Sequence, residues 1–162
     1  AGGVITEIIY ALGRSDLIVG VDSTSKFPEA ALKEKPNVGY VRALSSEGLL
    51  SLRPTTVIAI DSAGPPDILK AVGDAGVKVS LIHEVATPSG ILAKISDVAA
   101  LVGETEKGAA LARATEEQFK TLDGLRAKIQ KPRRALFILS FQNGRAMVGG
   151  RGTPADALRC AR

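Results

Sequence analysis

The sequence holds one cysteine, one histidine, one methionine and no tryptophan in 162 residues. A single cysteine excludes an intramolecular disulfide and a thiolate cluster. With one histidine beside it, the usual His and Cys zinc set has too few ligands. Aromatic residues are only 4% of the chain, so its apolar mass is Ala, Val, Leu and Ile, the stock of folds in which helices cover a largely parallel sheet. No apolar run approaches the ~20 residues a membrane span needs, and no charged n-region with an apolar h-region opens the chain. That leaves a cytoplasmic protein or one whose signal peptide has been removed.

What is present is ordinary for one globular domain: 45% hydrophobic and 23% charged residues, with a formal charge of +4. Lys and Arg are interspersed with Asp and Glu, and the one basic knot, Lys128, Lys131, Arg133 and Arg134, fits a solvated helix end. Nucleic acid is therefore not the expected partner, whereas a carboxylate-bearing ligand would suit the charge equally well.

Along the chain, helical periods alternate with short apolar runs. VITEIIYAL (4–12) has helical spacing and Gly13 as a stop. LIVGV (17–21), TTVIAI (55–60) and VKVSLI (77–82) read as strands. DILKAVGDA predicts a helix with Pro66 in its first turn and Gly76 at its end, and Thr87-Pro88 opens another to about Leu101. The result is an α/β, Rossmann-like lobe over residues 1–103 with a small parallel sheet. Residues 104–131 predict one long charged helix, a spine about 40 Å long at 1.5 Å per residue. Residues 132–162 begin a second lobe with the strand RRALFILS, the Gly-rich loop FQNGRAMVGGRG and a helix from Thr153-Pro154. That stub is too short to enclose a core, and AGGVITE lacks the strand a βαβ fold would place before its helix.

By pattern alone, Tyr40 in NVGYVRALSSEGLLSLRP is open between a core aromatic and a chemical group, and Arg42 between a surface arginine and its partner. Arg42 lies two residues on, so in an extended segment both side chains point the same way. Glu47 falls in the first turn of a short helix that Ser45 caps, where a carboxylate suits the helix dipole. His83, at the end of VKVSLI, and Gly64-Pro65, after TTVIAI, sit where parallel strands deliver cleft residues. The former is more often a loop histidine with a local hydrogen bond, the latter a stiff wall. GRAMVGGRG matches neither G-x-G-x-x-G nor a P-loop and reads as cleft-edge backbone, with Arg145, Met147 and Arg151 as cleft candidates.

AGGVITEIIYALG, LIVGVDSTSKFP, VGYVRALSSEGLLSLRP, AGPPDIL and GRGTPADAL resemble the periplasmic haem-binding proteins of bacterial haem ABC importers, within the helical-backbone class of substrate-binding proteins. The resemblance runs along essentially the whole chain. It implies two Rossmann-like lobes joined by one long helix, with ferric haem as transported ligand between them. It implies Tyr40 as axial iron ligand, a hard anionic oxygen suited to Fe(III), Arg42 as the cation beside the phenolate or a propionate, and Glu47 as the contact to an ABC permease. It implies a periplasmic location and a binding protein rather than an enzyme. A ferric siderophore or cobalamin is the alternative ligand, and a nucleotide-dependent α/β enzyme the alternative class. An incomplete second lobe leaves open weak haem binding, a dimer of the truncated chain around haem, or an exposed apolar surface.

Overall fold

The computed structural model describes residues 1–131 and 136–149. Helix α1 (Gly3–Ala11) is followed by a 3₁₀ turn (Ser15–Leu17), then α2 (Ala30–Glu34), α3 (Ser46–Leu50), β1 (Thr56–Ile60), α4 (Pro66–Asp74), β2 (Lys78–Ile82), α5 (Pro88–Leu101), α6 (Thr105–Ala127), β3 (Ile138–Gln142) and β4 (Arg145–Val148). β1 and β2 pair in parallel with Val57 opposite Val79 and Ala59 opposite Leu81. Pro66 starts α4 without forfeiting a hydrogen bond, because a first-turn N–H has no intrahelical acceptor. Thr87 caps α5 by accepting from the Gly90 amide at 3.1 Å.

The core is one cluster. Ile5 and Ile8 of α1 with Leu12 just after it, Val57 and Ala59 of β1, Leu69 and Val72 of α4 and Ile95 and Val98 of α5 are its buried centre. α6 packs along α5 only over its first turns, where Gly108 is buried and Leu111 and Ala112 lean on the core. Gly108 allows that crossing: a Cβ there would overlap the Ala99 Cβ. An Arg14 guanidinium closes the corner between α1 and α6, donating to Glu104 at 3.0 Å and to the Val102 carbonyl at 3.3 Å. Further along, Leu125 and Ile129 are exposed, so the long helix is covered only at its start.

Two expectations need correction. LIVGV is not a strand: Ser15–Leu17 form a 3₁₀ turn, Val21 makes one isolated bridge to Asn37, and Leu17 and Val19 are about half exposed. A β-branched run becomes a strand only beside a partner, and here one residue has one. GRAMV is not loop backbone but β4, antiparallel to β3. Asn143 and Gly144 take positive φ of 51° and 73°, the turn that matches the twist of two antiparallel strands. Arg151 and the Thr153-Pro154 helix lie outside the described residues.

Candidate functional site

An open hollow of about 460 Å³ lies at the carboxyl ends of β1 and β2, beside the start of α1. Gly2 and Gly3, Lys26 and Phe27, Tyr40 and Arg42, and Ile60 and Glu84 line it. These side chains are contributed by segments far apart in sequence that the parallel pair gathers at one end.

The 40–43 segment is a turn rather than the extended stretch expected: the Ala43 amide donates to the Tyr40 carbonyl at 2.8 Å. Val41 points into the core and the flanking Tyr40 and Arg42 both reach the hollow. The turn is held from behind. Gly64 N–H donates to the Val41 carbonyl and the Leu44 N–H donates to the Gly64 carbonyl, each at 2.9 Å. Gly64 is thus buried as an anchor, Pro65 is exposed, and neither lines the hollow.

Tyr40 is 50% exposed. Tyr10, the other tyrosine, contrasts with it: its hydroxyl is buried without a hydrogen-bond partner, and burial followed by the charge of Glu34 raises its pKa. Phe27, which also lines the hollow, is 66% exposed. An aromatic left in water at a concave surface is a ready apolar face for a flat ligand.

Charge on the rim is unequal. Glu84 is neutralised from below by Lys94, whose nearly buried ammonium lies 2.8 Å from the Glu84 carboxylate. Lys26 and Arg42 form no ion pair among the described residues, and Glu7 is the remaining carboxylate of the lining. Two cations without ion-pair partners among the described residues thus line the same hollow as Tyr40, an arrangement that suits ligand carboxylates.

Asp22 supports the wall that carries Thr24, Lys26 and Phe27. It is fully buried, yet accepts hydrogen bonds from the Gly2 amide at 2.5 Å, the Thr24 amide at 2.9 Å, the Thr24 hydroxyl and the Ser25 hydroxyl at 3.2 Å. Burial works to raise its pKa, but the Thr24 hydroxyl and the Gly2 and Thr24 amides outweigh it, and the net shift is downward.

The remaining candidates are dispersed. Glu47 is exposed on the first turn of α3, where Ser45 accepts from the Gly48 amide at 3.0 Å. His83 does not line the hollow. Its Nδ1 lies 2.5 Å from Asp61, whose pKa is lowered first by the Glu84 amide and then, against the opposing effect of burial, by His83. Arg145 and Met147 are exposed on β4. Among the described residues no group of three or more His, Cys, Asp or Glu is arranged for a metal ion, and no helix is long and apolar enough to cross a membrane.

Sequence reading missed Lys26, Phe27, Glu84 and Asp22. The first three carry no local signal, since only the topology brings them to Tyr40. Asp22 had one: Asp-Ser-Thr-Ser is a sequence in which a carboxylate caps the turn that follows it.

A helix-covered parallel pair with an open, charge-biased hollow at its strand ends has the anatomy of a ligand-binding lobe. The chain belongs to the periplasmic binding protein family, whose model matches residues 2–160. It is 38% identical to the periplasmic heme-binding protein RhuT from Roseiflexus sp. RS-1, with a TM-score of 0.92 over 99% of this chain and 61% of that one. It is 39% identical to the periplasmic heme-binding protein BhuT in complex with two hemes, also with a TM-score of 0.92, over 98% of this chain and 62% of the other. Among curated relatives, a vitamin B12-binding protein of Vibrio vulnificus (strain CMCP6) is 28% identical over 156 residues, 95% of this chain and 55% of the relative. The chain thus spans about three fifths of those two solved chains and little more than half of that curated relative.

Proposed function

We propose that the protein captures ferric haem in the periplasm and presents it to an ABC permease, with Tyr40 as the iron ligand. The observation that carries this reading is a half-exposed tyrosine in an open hollow that is also lined by two cations without ion-pair partners among the described residues. A phenolate is a hard donor for Fe(III). Arg42 and Lys26 would hold the phenolate or the haem propionates, and Phe27 would lie against the porphyrin. In this reading residues 1–103 are the first lobe, 104–131 the connecting helix and 132–162 the start of a second lobe that supplies the other side of the ligand. Glu47, exposed and offset from the hollow, is the contact to the permease. The haem-binding solved relatives support the ligand.

The test is a ferric haem titration of the full-length protein, followed by its visible spectrum. Ligation through Tyr40 gives a phenolate-to-iron charge-transfer band that Tyr40→Phe abolishes. A band and affinity unchanged in that variant would sink the assignment. A corrinoid is the second reading, favoured by the vitamin B12-binding relatives. Saturable cobalamin binding that survives Tyr40→Phe, with no haem band, would select it.

A further inference from the structure

Among the described residues two charged side chains are buried, Asp22 and Lys94. Asp22 has a structural reason to be there: amides and hydroxyls of its own loop and of the start of α1 take both its oxygens. Lys94 has none of that kind. It lies among the buried residues of α5 with Ile95 and Val98, and its one partner among the described residues is the Glu84 carboxylate. A buried ion pair is a weak source of stability, because apolar side chains of similar volume commonly do as well. The charge itself therefore needs a reason.

The charge balance of the hollow gives one. Its lining holds two cations, Lys26 and Arg42, and two carboxylates, Glu7 and Glu84, so the lining by itself is neutral. Lys94 is not part of that lining, yet its ammonium lies 2.8 Å from the Glu84 carboxylate and tips the balance positive. Glu84 is held at both ends, since its amide donates to Asp61 at 3.2 Å while Lys94 takes its side chain. The other carboxylates nearby have their own counterparts. His83 lies against Asp61, and Asp22 accepts from the Gly2 amide at the positive end of α1. A nearly buried ammonium is also screened by salt far less than an exposed one.

We propose that Lys94 is a specificity residue of the hollow: acting through Glu84 from behind the lining, it gives the site the net positive charge that admits a carboxylate-bearing ligand. This rests on the reading of the hollow as the haem site. Without Lys94, Glu84 changes from half of a neutral pair into a free carboxylate in the hollow that receives the propionates, and like charges brought together there oppose binding.

The test measures binding of ferric haem by the full-length protein and two variants at low salt. Lys94→Met removes the charge and the hydrogen bond, whereas Lys94→Gln removes the charge and keeps a donor for Glu84. Both bind haem about tenfold more weakly, the scale of one added like charge at a partly solvated site. Haem dimethyl ester, which lacks free carboxylates, loses no affinity in either variant. Adding Glu84→Gln to Lys94→Met makes the pair neutral again and restores haem binding, which a purely structural role for Lys94 would not allow. Full haem affinity in Lys94→Gln, an equal loss for the diester, or no recovery in the double variant overturns the proposal and leaves the role of Tyr40 standing. Absence of haem binding by the parent protein overturns the reading beneath it, and the proposal with it.

Discussion

Replacing Asp22 by asparagine keeps the shape of the side chain and removes its charge and one acceptor. In the native turn one carboxylate oxygen takes the Gly2 amide and the Ser25 hydroxyl, while the other takes the amide and hydroxyl of Thr24. An asparagine satisfies one of these pairs through its carbonyl and turns an NH₂ toward the other. Flipping the amide only exchanges which pair is lost. A hydrogen bond to a charged group contributes about 1.5–3 kcal/mol, and a buried N–H left without an acceptor costs about 1–3 kcal/mol. The serine hydroxyl can rotate and the backbone amide cannot, so Asp22→Asn should destabilise the fold by about 2–4 kcal/mol. That is a melting temperature lowered by roughly 5–12 °C in a chain of this size.

The acid dependence gives a second, independent check. Asp22 has a folded pKa below that of the unfolded carboxyl, so its stabilisation is complete above the unfolded value, about 3.9, and fades as pH falls through the lower folded one. Urea denaturation of both proteins at pH 7, 5, 4 and 3 should therefore show a constant gap down to about pH 4 that narrows below it. A gap under about 0.5 kcal/mol at pH 7, or one that stays fixed down to pH 3, would refute the reasoning.

Glu47→Lys should leave haem affinity unchanged while abolishing uptake in cells carrying the transporter; normal uptake would remove Glu47 from the permease contact. Gly108→Ala gains up to about 1 kcal/mol of helix propensity but drives a methyl into the Ala99 Cβ. Overpacking at about 1–3 kcal/mol should win, and denaturation should show partial recovery on adding Ala99→Gly. Glu84→Ala strands the buried Lys94 ammonium and should cost about 1–3 kcal/mol, discounted because Glu84 is partly exposed. Lys94→Met in the same assay should be nearly neutral, so equal losses in the two variants would argue against the pairing.

Elements whose causes are local were legible in the sequence. Pro66 and Gly76 frame α4, Thr87 and Ser45 cap their helices, and the runs at 55–60 and 77–82 form β1 and β2 because each has the other beside it. LIVGV has the same composition as those strands, but its backbone meets a partner only at Val21, and composition cannot report that. The hairpin had a signal that was misread: Asn143-Gly144 is a strong turn pair, but the glycines after it suggest a longer loop. At the site, Tyr40 and Arg42 share a short motif and reach the same hollow. Lys26, Phe27 and Glu84 join them through the pairing of β1 with β2 and the packing of α1, long-range contacts that leave no local trace.

The clasp between Gly64 and the tyrosine turn has a mechanical consequence. A load applied at Tyr40 runs through Val41 and Leu44, both fastened to Gly64 in the loop between β1 and α4, before it reaches Ser45 and α3. On the proposed reading, that fastening would ground the force in the core and leave the surface around Glu47 in one posture with ligand or without it. A partner touching that surface alone would then not distinguish a full molecule from an empty one.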